Sequence, residues 1–115
     1  MSGARLNYVE LPAGNIAASR TFFQAAFGWS LTAFGPDYAA TVGQACDLGL
    51  HGDLADAALA PLAVIEVDDL EGALTAVEAA GGTIVRPIFA FPGGRRFHFR
   101  EPSGNEMAVY INEPG

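Results

Sequence analysis

Cysteine and basic side chains are scarce in this sequence of 115 residues. The single cysteine, Cys46, cannot close an internal disulfide or build a zinc site alone, so it is expected to be a small buried apolar residue. A catalytic role would need a base nearby; His51 is close in sequence but lies on the opposite face of any strand the two share. Six basic residues against thirteen acidic ones give a net charge of −7. That balance argues against a nucleic-acid partner and is mildly compatible with a cationic ligand. No apolar run approaches the ~20 residues of a membrane span. The opening "MSGARLNYVEL" has no secretory h-region. A soluble cytoplasmic protein is the expectation. A Gly-rich phosphate loop leading into a helix is also missing, since "PGG" (92–94) leads into a strand, and no Ser-His-Asp order has the local context of a triad.

What is present is an internal repeat. "RLNYVELP" (5–12) alternates as a strand, with Tyr8 and Glu10 on one face and Val9 and Leu11 on the other. Asn15 is placed to cap a helix in which Ile16, Phe23, Ala26 and Phe27 recur at helical spacing, and Gly28 stops it. Phe22, Phe23 and Phe27 are expected in the core. Strands are expected at 29–34 and 38–43 around the "GPD" turn and at 46–50, followed by a polar linker at 51–61. The order then recurs. "PLAVIEV" (61–67) reads as a strand. The next stretch, "DDLEGALTAVEAAGG", reads as a helix with Asp68 and Glu71 spaced as a capping box, Gly81-Gly82 as its stop, and Leu70, Ala73, Leu74 and Val77 as its buried stripe. Strands follow at 83–91, 95–100 and 106–112, with Pro87 confined to an edge or a bulge. Placing Asn15 over Asp69 superposes the halves with a shift of 54 residues. Each half is strand–helix–three strands. The predicted fold is α+β: two βαβββ modules, 5–50 and 61–112 of one domain spanning 1–115, whose sheets form a U around a shared central cavity.

Three stretches carry a family resemblance: "YVELPAGNIAASRTFFQAAFGW", "IEVDDLEGALTAVEAAGGTIV" and "GGRRFHFREPSGNEMAVY". The chain resembles the glyoxalase, bleomycin-resistance and extradiol-dioxygenase group, the vicinal oxygen chelate superfamily, over nearly its whole length. It looks closest to small bacterial glyoxalase-like proteins. The resemblance implies paired βαβββ modules around a cavity, often completed by dimerisation, so a homodimer is expected. It does not select a reaction, because the family holds isomerases, epimerases, dioxygenases, thiol transferases and drug-binding proteins.

The resemblance also implies where a divalent metal would be held, on the first and last strands of each module by His, Glu or Gln. Seven residues before the helix caps stand Tyr8 and Leu62, and four residues after the turn Gly104 stands Ala108. The fourth position falls near 48–51, where Leu48, Gly49 and His51 lie in range. Leucine and alanine cannot ligate, and a tyrosine with a pKa near 10 is a poor ligand at neutral pH. No metal and no other cofactor is predicted at the usual site. A displaced site from Glu10, His51, His98 and Glu106 stays open as an alternative.

In "RRFHFR", Phe97 and Phe99 are expected to face a helix, leaving Arg96, His98 and Arg100 toward the cavity or solvent. "EPSGN" is accounted for by turn chemistry alone. Glu10 and His98 are the candidate acid–base residues, the carboxylate pair Glu10 and Glu106 being one route to a general base. Tyr8, Glu10, Leu62, Val64, Arg96, Glu106 and Tyr110 are the candidate ligand-binding residues, and Arg96 suits a carboxylate or phosphate. Tyr8, Trp29, Phe34, Tyr38, Phe89, Phe91 and Tyr110 are the aromatics available to a pocket. The expected function is metal-free binding of a small organic molecule. The alternative is a lyase or isomerase acting on a small carbonyl compound, either metal-dependent or with Glu10 as base. A third reading is a partner-binding module without chemistry.

Overall fold

A computed structural model describes residues 3–113. Among these residues, eight strands and two helices follow in the order the repeat requires, which makes the fold α+β. The chain divides into two compact units. The amino-terminal unit takes Tyr8–Leu62; the carboxy-terminal unit takes Ala63 onward together with the residues up to Asn7.

In the amino-terminal unit, strand β1 (Arg5–Pro12) leads into helix α1 (Ile16–Phe27), then β2 (Thr32–Ala33), β3 (Tyr38–Ala40) and β4 (Asp47–His51). The strands lie in the order β2-β3-β4-β1, with β4 parallel to β1 and the other pairs antiparallel. The Asn15 side chain accepts a bond from the Ala18 amide at 3.0 Å, so the expected cap forms. Gly28 ends the helix at φ 71°, a conformation that costs other residues strain. The core of this unit gathers Ala13, Leu31, Ala39 and Leu50 with Leu11, Ile16, Phe23, Trp29 and Leu48. Three expectations fail here. Phe22 and Phe27 are 57% and 60% exposed. Phe22 is one residue from the packed Phe23 and therefore turned by about 100° around the helix, while Phe27 is the last helical residue and stacks on Trp29, with ring centres 5.2 Å apart. Cys46 is exposed rather than buried, because it lies in the turn before β4. The strands around the GPD turn are also shorter than expected.

The carboxy-terminal unit repeats the plan with β5 (Leu62–Glu66), α2 (Leu70–Ala79), β6 (Thr83–Phe91), β7 (Gly94–Arg100) and β8 (Glu106–Asn112). Its order is β5-β8-β7-β6, with β5 parallel to β8. The cap of α2 is Asp69, whose carboxylate accepts from the Gly72 amide at 3.0 Å. Asp68, the expected capping-box residue, is one position too early. The core unites Val67, Leu70, Ala73, Phe97, Phe99 and Val109, with Leu74 and Val77 packed against it. Pro87 does sit in an edge strand at an irregularity: Arg86 pairs with His98 and Phe89 with Arg96, so β6 carries one residue more than β7 between these pairs. Arg5 and Asn7, at the start of β1, belong to this unit through Glu66, which accepts from both, and Asn7 in turn accepts from the Tyr110 hydroxyl at 3.2 Å.

Candidate functional site

Each sheet buries one face under its helix, and strand alternation puts the other set of side chains on the opposite face. On β1 that set is Tyr8 and Glu10. Glu10 is only 4% exposed, and a carboxylate taken out of water needs donors. Tyr38, from β3, supplies one: its hydroxyl donates to Glu10 Oε2 at 2.8 Å, and the Tyr8 and Tyr38 hydroxyls lie 2.6 Å apart. Burial first, and then the Glu10 charge, push the Tyr38 phenol far above its ordinary value, so it stays protonated and donating. Gly49 opposes Glu10 on β4, and any Cβ there would collide with both hydroxyls. Sequence reading missed the centrality of Tyr38, naming it only among available aromatics; its partner Glu10 is 28 residues away, and no local pattern reveals the pairing.

The uncovered face of the carboxy-terminal unit holds a second polar group. His98 is 1% exposed, so it lies on the face opposite Phe97 and Phe99 without being open to solvent; Ala108 and Arg86 flank it on neighbouring strands. Its Nδ1 lies 2.8 Å from Glu106 Oε2, and its Nε2 receives the Arg96 guanidinium at 2.8 and 3.1 Å. Burial lowers the His98 pKa; the Glu106 hydrogen bond opposes this, and the positive charges of Arg96 and Arg86 reinforce it. Arg86 lies over the Phe89 ring at 4.0 Å, and Arg96 approaches Phe89 and Phe91 at 5.7 and 5.9 Å. The Tyr110 ring meets Phe91 edge-on at 6.4 Å.

Of the sequence-derived candidates, Tyr8 and Glu10 thus share one network, and Arg96, His98 and Glu106 share another. Tyr110 bonds Asn7 and flanks Phe91. Leu62 and Val64 are buried in β5, Val64 opposite Ala108. His51 is held by Asp56 at 2.9 Å.

The family's usual metal does not fit these residues. The side chains of Leu62 and Ala108 have no donor atom, and the Tyr8 phenol is engaged with Tyr38. Among the described residues, no three His, Cys, Asp or Glu side chains converge on a point where an ion would sit. Among them also, no helix is long and apolar enough to cross a membrane.

The fold agrees with known structures. Over 93% of its length the chain matches a Legionella pneumophila protein described as an NAD-dependent benzaldehyde dehydrogenase, at 17% identity and TM-score 0.77, covering 99% of that chain. It matches a glyoxalase/bleomycin resistance protein/dioxygenase superfamily member from Vibrio splendidus at 18% identity and TM-score 0.72, covering 96% of this chain and 99% of that one. The Mn(II)-bound glyoxalase of Novosphingobium aromaticivorans matches over 96% of this chain at 20% identity and TM-score 0.69; the chain spans 40% of that protein. At such identities the likeness is one of fold. No curated protein matches the sequence significantly. The family model for Glyoxalase/Bleomycin resistance protein/Dioxygenase superfamily matches residues 5–109, and the chain belongs to that superfamily.

Proposed function

We propose that this protein binds a small organic molecule on the sheet surface its helices leave uncovered, without a metal at the position the family's enzymes use. The donor set carries the reading: Leu62 and Ala108 offer no ligand atom, and Tyr8 is tied to Tyr38. The make-up of the uncovered faces supports it too. Aromatic rings surround a few fixed polar groups, the usual composition of a small-molecule site. Calorimetry against a panel of aromatic anions, cations and neutral compounds tests it. At least one should bind more tightly than about 1 mM; if none does, binding is not the function. Elemental analysis of protein purified without chelator should find no stoichiometric metal.

A second reading rests on Glu10. A buried carboxylate held by a phenol that stays protonated is a base with a fixed hydrogen-bond donor beside it, suited to taking a proton next to a carbonyl. Turnover of a methylglyoxal–thiol adduct that survives chelation and is lost in Glu10→Gln would favour a lyase or isomerase of this kind. The protein is further proposed to be cytoplasmic and to work as a homodimer, as superfamily members often are. The exposed Phe22, Phe27 and Phe34 support an interface, and light scattering at micromolar concentration tests it.

A further inference from the structure

The irregularity at Pro87 decides which side chains meet on the carboxy-terminal unit. In a regular strand, Arg86 and Phe89, three residues apart, would point to opposite faces. Here Arg86 opposes His98 and Phe89 opposes Arg96. His98 and Arg96 are two apart on β7 and share a face, so the extra residue at Pro87 and Ile88 brings Arg86 and Phe89 onto that same face. Phe91, two residues further along, joins them. Two of the chain's six basic residues therefore meet over the Phe89 ring, at 4.0 and 5.7 Å.

The tautomer of His98 follows from its partners. A guanidinium only donates hydrogen bonds. Both hydrogen bonds that link Arg96 to His98 fall on Nε2, so Nε2 carries the lone pair and the proton is on Nδ1, donated to Glu106. A second proton on Nε2 would face the guanidinium donors directly. A histidine so engaged has no lone pair to offer a substrate; what it does is fix the plane of Arg96.

Deepening the binding reading above, and resting on it, we propose that this face recognises a small carboxylate on a flat aromatic or unsaturated body. Arg96 and Arg86 take the carboxylate, Phe89 and Phe91 take the body, and His98 is a positioning residue for Arg96 rather than an acid or base. A guanidinium carries five N–H donors and matches a carboxylate in charge. The molecule's net charge of −7 does not reverse this, because exposed charges more than about 8 Å away are largely screened at physiological salt, and the two guanidinium groups act at contact. A phosphate is the poorer fit, since the face offers side chains on strands and no helix N-terminus or Gly-rich cradle.

The test uses benzoate, benzamide, benzamidinium and inorganic phosphate as probes, titrated calorimetrically into the intact chain. Benzoate should bind at least about tenfold more tightly than benzamide, because hydrogen bonds to a charged acceptor are stronger than those to a neutral one. Arg96→Gln should lose about tenfold and Arg96→Lys an intermediate amount. His98→Gln, which keeps an acceptor for Arg96, should retain most of the affinity that His98→Leu loses. Equal or tighter binding of benzamide, benzamidinium or phosphate overturns the carboxylate assignment while leaving small-molecule binding intact; no binding by any probe overturns it outright, and failure across the wider panel as well removes the function. Independently of ligand and of any variant, long-range proton–nitrogen NMR on the unmodified protein should show His98 neutral with its proton on Nδ1 at pH 7. An Nε2–H or doubly protonated ring overturns its positioning role.

Discussion

Gly49 is the residue on which the Tyr8–Tyr38–Glu10 chain depends. Its φ is ordinary, so its value lies in space rather than conformational freedom: a methyl group would strike both tyrosine hydroxyls. Gly49→Ala should cost about 1–3 kcal/mol, the usual range for overpacking, read as a lower urea midpoint at unchanged m-value. A cost below about 0.5 kcal/mol, that of an ordinary surface change, means the hydroxyls do not meet there. The same chain predicts that one of the three tyrosines resists ionisation. Burial and the Glu10 carboxylate hold Tyr38 protonated, so a phenolate absorbance titration should leave it un-ionised until the protein unfolds, and Tyr38→Phe should remove that late step. His98 gives a prediction in the acid range. Its folded pKa is depressed by burial, with Arg96 and Arg86 adding to the effect and Glu106 opposing it. Below its unfolded value of about 6.5, the unfolded chain therefore binds a proton that the folded chain refuses. Stability is full above that pH and falls as pH drops toward the folded value. Melting temperature should decline between pH 7 and 5, and His98→Gln should flatten that decline. A wild-type curve that rises on acidification contradicts the sign.

At the scale of elements, the helix starts separate two adjacent aspartates. Asp69 accepts from the Gly72 amide, whereas the Asp68 carboxylate is reached by Arg5 at 3.5 Å in an exposed pair. Asp69→Ala should destabilise by about 1 kcal/mol, as should Asn15→Ala in α1. Asp68→Ala should cost no more than a surface ion pair, under about 1 kcal/mol and salt-dependent. Equal costs for the two aspartates in 1 M salt place the cap wrongly. This pair also shows how sequence reading succeeds and errs. Two caps 54 residues apart, Asn15 and Asp69, revealed the repeat, and β1 and β8 take the bounds alternation gave them. The capping-box spacing pointed one residue early because Asp68 and Asp69 are the same residue type, and only backbone geometry tells them apart. Pro87 announced an irregularity in β6 because it lacks an N–H, but which side chains the irregularity would turn to the face of His98 depends on register, which a single strand does not encode. Phe22 and Phe27 were misread because helical spacing describes a stripe, while the structure fixes where that stripe ends.

For the whole molecule, the legible part of the site was chemical type and the hidden part was pairing. Glu10 and His98 were picked out as titratable groups on uncovered faces. That one is held by a tyrosine 28 residues away, and that the other has both nitrogens committed, rests on contacts between strands. The metal question is where residue identity alone reaches furthest, because no arrangement of neighbours gives the side chain of Leu62 or Ala108 a donor atom. It has a consequence for the stability of the entire chain. An ion bound only by the folded state stabilises it by RT ln(1 + [L]/Kd), about 2.7 kcal/mol at a hundredfold excess over Kd. For a chain of 115 residues each kcal/mol moves the melting temperature by several degrees. A resident metal would therefore show as a drop of roughly 10 °C on chelation, or a comparable rise when Mn(II), Ni(II) or Zn(II) is added to chelated protein. Neither shift is expected. A saturable rise with one of these ions, lost in Glu10→Gln or Glu106→Gln, would relocate the centre to the carboxylates; a rise that survives both substitutions would require donors outside the two networks.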